Sequence, residues 1–196
     1  MSLKVIRAAK VGDVPGVIAA LDVGADKEAE DPERNDFRAL HWSAQNGHSG
    51  VVKKLLNMGV NVDGRENRGR SALHSGCFHG HEEVVRLLIA RGAIVDALDK
   101  EDFTPLMAAS YEGHNNIVML LLKAGANIVL TDKDGLTPIH YASLSGHSSV
   151  VKRLASCDAD IKSKDKDGVQ SIHYAALDGH DLTVLTLIQL GSDVNS

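Results

Sequence analysis

The stretch that decides the fold is residues 132–147, DKDGLTPIHYASLSGH, because variants of it recur along the chain at a fixed spacing. Its closing Gly-His pair occurs five times, and each pair follows the last by 33 residues. Self-similarity at a period of this length is the signature of a solenoid built from small repeated units. The five pairs are Gly47-His48, Gly80-His81, Gly113-His114, Gly146-His147 and Gly179-His180.

Each unit is predicted to form two short helices separated by a tight turn. In the third full unit, Thr104 is a favourable N-cap and Pro105 suits the first helical position. Gly113 ends this inner helix with a left-handed residue, residues 116–123 form a second, outer helix, and Gly125 closes it. Helices this short are unstable alone, so neighbouring units must stack to bury a shared apolar face.

This pattern resembles the ankyrin repeat, whose signature is DxxGxTPLHxAAxxGH followed by VxxLL and GA, and the resemblance covers essentially the whole chain. It implies a single domain over 1–196, an all-α solenoid of stacked helix-turn-helix units with projecting hairpin fingers. In this family the fingers and inner helices form a concave surface. We expect a cap repeat at 1–32 and full repeats at about 33–65, 66–98, 99–131, 132–164 and 165–196.

Several residues depart from this pattern. Asp36 and Asp102 replace the finger glycine, and the turn should survive because Asp adopts left-handed conformations more readily than most residues. Asp158 replaces the glycine after an outer helix, which predicts local strain or rearrangement there. Arg38 and Gln170 stand where the signature has Thr, so those two inner helices should begin less well capped.

The composition argues against several classes of function. A net charge of −5 disfavours nucleic-acid and membrane-surface binding, and no apolar run approaches the length of a bilayer span. The N-terminus lacks the apolar core of a signal peptide, so we expect a reducing cytoplasmic or nuclear location. Nine of the ten histidines fall at two repeat positions and have a structural explanation. We therefore predict a protein with no metal, no cofactor and no catalytic residues.

The seven aromatic residues occupy only three positions of the repeat, on the fingers and inner helices. For Trp42, Tyr141 and Tyr174 a packing role is as plausible as an exposed one, whereas the others favour a binding surface. Arginines accompany the rings of the first full repeats, which predicts a protein or peptide partner with apolar and some acidic residues. The predicted contact residues are Phe37, Trp42, Arg68, Arg70, Phe78, Phe103, Tyr111 and Leu144.

We therefore predict a non-catalytic scaffold or adaptor that binds a partner in the concave groove. One alternative is a regulatory or targeting module of a larger enzyme or channel, which the full reading frame would reveal. Another is self-assembly, continuation or packing through the apolar C-terminal end, where Leu182, Leu185 and Leu190 accompany the packing face. Asn195 also lies in a sequence that resembles sites where ankyrin-repeat asparagines are hydroxylated.

Overall fold

A computed structural model describes residues 2–193, so the predicted modification site Asn195 lies outside the described residues. The chain divides into two compact units, residues 1–100 and 101–196. Residues 2–193 contain twelve α-helices and one two-stranded sheet, which confirms the predicted all-α class. No helix in this range has both the length and the apolar character needed to cross a bilayer.

In both units an inner helix alternates with an outer helix. The first unit contains α1 (Ser2–Val11), α2 (Val14–Asp22), β1 (Glu30–Asp31), β2 (Phe37–Arg38), α3 (Ala39–Gln45), α4 (Ser49–Asn57), α5 (Ala72–Phe78) and α6 (Glu82–Ala90). The second contains α7 (Pro105–Tyr111), α8 (Asn115–Lys123), α9 (Pro138–Leu144), α10 (Ser148–Ala155), α11 (Ser171–Leu177) and α12 (Asp181–Gln189). The two strands pair antiparallel, with Glu30 opposite Arg38 and Asp31 opposite Phe37.

Stacking of like helices on like helices builds the core of each unit. Inner helix α3 packs on α5 and outer helix α4 on α6, and α9 likewise packs on α7 and α11. The buried residues are aliphatic, as with Leu55 of α4 and Leu154 of α10, which are fully enclosed. Because helices of seven to ten residues are unstable alone, this shared apolar face holds the repeats together.

A histidine in the first turn caps most inner helices. Nδ1 of His41 accepts the backbone N–H of Arg38 at 3.2 Å, and His173 accepts that of Gln170 at 3.1 Å. His140 makes the same bond to Thr137, which carries the usual capping hydroxyl. The weaker capping predicted at Arg38 and Gln170 is therefore partly offset, because the ring supplies an acceptor whichever residue precedes the helix.

In four of the Gly-His pairs the histidine joins its repeat to the preceding one within the same unit. In the first unit Nε2 of His81 donates to the Gln45 carbonyl at 2.9 Å, and in the second unit His147 donates to the Tyr111 carbonyl at 3.0 Å. The ring lies against the glycine that ends the preceding inner helix. A Cβ built on Gly113 would stand 2.5 Å from Nδ1 of His147. That glycine is thus required twice, for its left-handed backbone and for its missing side chain.

The three aspartates that replace glycine adopt the expected left-handed backbone, with φ of 59° at Asp36 and Asp102 and 65° at Asp158. Asp158 follows α10, which has eight residues, whereas the other outer helices have nine. The substitution is therefore accompanied by a shorter outer helix.

The double requirement at Gly113 can be separated by two alanine substitutions in the second unit. Gly125 also has a left-handed backbone, φ 89°, but nothing lies within 4 Å of an added Cβ. We expect Gly125→Ala to lower the free energy of unfolding by about 1 kcal/mol, from backbone strain alone. Gly113→Ala should lower it by about 1–3 kcal/mol more, because the His147 ring is displaced. Urea denaturation followed by circular dichroism measures both, and equal losses would contradict the proposed ring contact.

Candidate functional site

At the base of three fingers an acidic residue ties the finger to the following inner helix. One carboxylate oxygen of Asp165 accepts the backbone N–H groups of Asp167 and Val169 at 2.9 and 2.8 Å. The other oxygen accepts the hydroxyl of Tyr174 at 2.5 Å. Asp132 repeats this arrangement with the hydroxyl of Tyr141. We call this arrangement the finger clamp.

The finger clamp is formed at neutral pH. Burial, reinforced by the neighbouring Asp165 carboxylate, raises the pKa of Tyr174 to about 12, so its hydroxyl keeps its proton. Burial alone would raise the pKa of Asp165, but the hydrogen bonds from Tyr174 and Val169 outweigh it and lower that pKa. A protonated donor therefore faces a charged acceptor, which is the strong form of such a bond.

Trp42 forms the same clamp in the first unit, and this corrects one prediction made from the sequence. Its Nε1–H donates to Asp31 Oδ2 at 3.1 Å, and only 3% of its surface is exposed. Lys10 and Arg34 lie over the ring, with Nζ and Cζ at 4.2 and 5.3 Å from its centroid. Trp42 is therefore a positioning residue beneath the surface and not a contact residue.

Arg65 and Arg70 also hold fingers of the first unit in place. Nε of Arg70 pairs with Asp99 Oδ2 at 3.0 Å, and the Asp99 side chain is only 2% exposed. Arg65 donates to the carbonyls of Gly69 and Leu98. Arg70, which was predicted as a contact residue, thus forms an ion pair with the buried Asp99 carboxylate. Arg68 is exposed. Sequence reasoning also missed Arg38, which pairs with Glu28 and Glu30 at 3.2 and 2.8 Å.

The remaining rings of the first unit lie above the clamped residues. Phe37 is half-buried and packs edge-on against Trp42, with ring centroids 5.4 Å apart, and at the same distance from His41. Phe78 is half-buried at the end of α5, 5.3 Å from the ring of His79. Phe37 and Phe78 are therefore partly open to solvent on a supported surface.

In the second unit two predicted contact rings converge on Tyr141. Phe103 meets it edge-on at 5.0 Å, and Tyr111 does so at 6.1 Å. Tyr111 is 38% exposed, Leu144 is half-buried, and the equivalent Leu177 in the next repeat is 81% exposed. The sequence predicted that Tyr141 lies at one of the aromatic positions of the repeat. It did not indicate that the Tyr141 ring contacts both Phe103 and Tyr111.

Burial also keeps two of the capping histidines, His41 and His140, neutral. It lowers the pKa of His41 to about 4, against an ordinary 6.5, and it lowers the pKa of His140. Since Nδ1 accepts a backbone N–H, Nε2 must carry the proton, which it donates to the Arg70 carbonyl from His41 and to the Ser163 carbonyl from His140. Because the pKa of His41 is lower in the folded protein than in the unfolded chain, its neutral ring contributes to the stability of the fold. This contribution is complete above about pH 6.5 and is lost as the pH falls toward 4.

Within residues 2–193 no group of three or more His, Cys, Asp or Glu side chains is placed to hold a metal ion. Cys77 is fully enclosed, and burial raises the pKa of its thiol, which keeps it protonated. The arrangement offers what a binding surface needs, namely partly exposed rings and cations on a braced support.

Comparison with known proteins gives one family. A family model described as ankyrin repeats (3 copies) matches residues 5–99, 40–132 and 106–196. No curated protein matches the chain.

Proposed function

Because the chain belongs to the ankyrin-repeat family, whose members are in general protein–protein interaction modules, we propose that it is a non-catalytic scaffold or adaptor. Its partner contacts the faces formed by the fingers and inner helices of the two units. The observation that carries this proposal is the support beneath the rings, since clamped fingers present their apolar groups without reorganisation. A preformed surface loses less conformational entropy on binding than a flexible one.

In the first unit the proposed contact residues are Phe37, Phe78 and Arg68. The two rings are half-buried, and Arg68 is exposed on a finger whose backbone is held by Glu66 Oε1 at 2.9 Å. Aromatic rings beside arginine are the usual composition of energetic hot spots at protein interfaces. The neighbouring Trp42 and Arg70 act through these residues by holding the fingers in place.

In the second unit the proposed contact residues are Phe103, Tyr111 and Leu144. The first two pack edge-on against Tyr141, so their orientation is fixed before binding. These side chains are apolar and the Arg68 surface is cationic, so the partner should carry apolar residues with some acidic ones. The two cysteines are unpaired thiols, which is compatible with the reducing cytoplasm or nucleus that we propose as its location.

The test is partner binding by the double variant Phe78→Ala, Tyr111→Ala, which removes one ring from each unit. Immobilised protein captures partners from a lysate of its native source, and the affinity of each captured protein is then measured. We expect the double variant to weaken binding at least tenfold, because buried aromatic anchors contribute about 2 kcal/mol or more.

The matched control is Ile94→Ala, Val129→Ala. These two residues are 52% and 60% exposed, lie in loops after outer helices, and again represent one residue per unit. Binding should be retained in this control. Unchanged affinity in the Phe78 and Tyr111 variant, with thermal unfolding unaltered, would contradict the proposed surface.

A second candidate function, self-association, is favoured by the outer face of α12. Leu182 and Leu185 are 64% and 56% exposed. The equivalent residues of α10 are Ser149 and Lys152, and they remain exposed although α12 packs beside α10. A further repeat stacked on α12 would therefore leave Leu182 and Leu185 exposed to solvent. Another kind of contact is needed to bury them.

We propose that a second copy of the chain covers this face. Asp181, in the first turn, is the single charged residue of α12, so packing two such helices desolvates little charge. An antiparallel two-fold arrangement keeps the two Asp181 carboxylates at opposite ends of helices that rise about 13 Å. Such a contact is also closed, whereas head-to-tail contacts continue into filaments.

Sedimentation equilibrium tests this second function. We expect the mass to rise from 20.9 kDa toward twice that value as concentration increases to about 300 µM, the range of a weak interface. Leu182→Glu, Leu185→Glu should remain monomeric. Val11→Glu, Val23→Glu, at positions 71% and 59% exposed in the first unit, is the control of equal charge. A monomeric wild-type protein, or equal disruption by the control, would refute self-association through α12.

A further inference from the structure

A cavity of about 140 Å³ lies in the first unit between α1 and the first finger. Leu3 and Ile6 form its apolar floor, Pro32 and Glu33 form the opposite wall, and Arg7 and Lys10 stand at its rim. A space of this size accommodates a group about as large as benzene, which corresponds to one leucine or phenylalanine side chain.

The finger wall of this cavity comes from a local lengthening of the repeat. Asp31 and Trp42, which form the finger clamp here, are eleven residues apart, whereas Asp132 and Tyr141 are nine apart. The two extra residues lie in the turn at 32–36, in which Asn35 and Asp36 both have a left-handed backbone. The longer turn carries Pro32 and Glu33 to the cavity.

Two cations line the cavity, and a third, Arg34, follows Glu33 on the finger. Arg7 and Lys10 are exposed on α1, and Arg34 reaches over the Trp42 ring from the finger. None of these three cations forms an ion pair within residues 2–193. The Asp31 carboxylate is already bonded to Trp42 Nε1 and to the Glu33 N–H, each at 3.1 Å. Asp31 and Glu33 both line the cavity, so two carboxylates stand against the three cations and one positive charge is in excess.

We infer that this cavity binds one leucine-sized apolar side chain of a partner segment whose flanking residues are acidic. The apolar floor takes the side chain, and Arg7, Lys10 and Arg34 pair with the carboxylates on either side. The inference rests on the proposed function, since it assigns an anchoring pocket to the same interaction module.

Trp42 provides the readout, because it is the single tryptophan of the chain and both Lys10, which lines the cavity, and Arg34 lie over its ring. The probe is the blocked peptide Asp-Glu-Leu-Glu-Asp, titrated against the full chain. We expect a saturable change in tryptophan emission with a dissociation constant on the order of 1 mM or tighter. The change should weaken in about 0.5 M salt, because exposed ion pairs are screened.

Two control peptides separate the pocket from the charge. Replacing leucine by alanine should weaken binding at least fivefold, because the apolar floor loses its occupant. The basic peptide Lys-Arg-Leu-Arg-Lys should produce no saturable change. If the leucine peptide fails to saturate, or if all three peptides bind equally, the inference is wrong.

Protein variants complete the test. Arg7→Glu, Arg34→Glu should weaken the leucine peptide at least tenfold, whereas Lys53→Glu, Lys123→Glu, at exposed positions on α4 and α8, should leave it unchanged. Equal affinity in the Arg7 and Arg34 variant would overturn the pocket. If the pocket fails while the variant at Phe78 and Tyr111 still loses its partner, the proposed function stands without it.

Discussion

Imidazole rings that donate to backbone carbonyls of adjacent repeats are the interaction on which this structure depends. His48 and His81 reach back to the inner helix of the preceding repeat in the first unit, and His147 and His180 do so in the second. The capping histidines reach forward, as His140 does to Ser163. Since helices of seven to nine residues have little stability of their own, these bonds and the aliphatic core fix the spacing of the repeats.

The candidate surface follows from that spacing. Once inner helices stand at a fixed distance, an aromatic residue after the capping histidine can reach the acidic residue of its finger, as Tyr174 reaches Asp165. Where that aromatic is missing, a neighbouring finger supplies the partner, as Arg70 does for Asp99. The fingers are then braced from below, and rings such as Phe37 and Phe103 are displayed on a support that binding does not need to create.

Much of this was predictable from the sequence, because period and turn chemistry are local properties. The left-handed residues at Gly113, Asp36 and Asp102 and the cap at Thr104 follow from residue type and position. The roles of Trp42 and Arg70 could not be predicted in the same way. The position of a residue within the repeat does not reveal whether its ring or guanidinium group already has a partner inside the protein. Trp42 finds Asp31 across a lengthened finger, and Arg70 finds Asp99 on the next one. These pairings depend on how the repeats are spaced in three dimensions, and that spacing cannot be read from a single position of the aligned repeats.

The most direct test of this account is the protonation state of the histidines, read from imidazole nitrogen chemical shifts of ¹⁵N-labelled protein during acid titration. The structure predicts a neutral Nε2–H tautomer for His41 and His140 at neutral pH. It further predicts that His41 titrates near pH 4, because burial lowers its pKa, while the unfolded chain titrates near 6.5. An Nδ1–H tautomer, or titration of His41 near pH 6.5 in the folded protein, would contradict it.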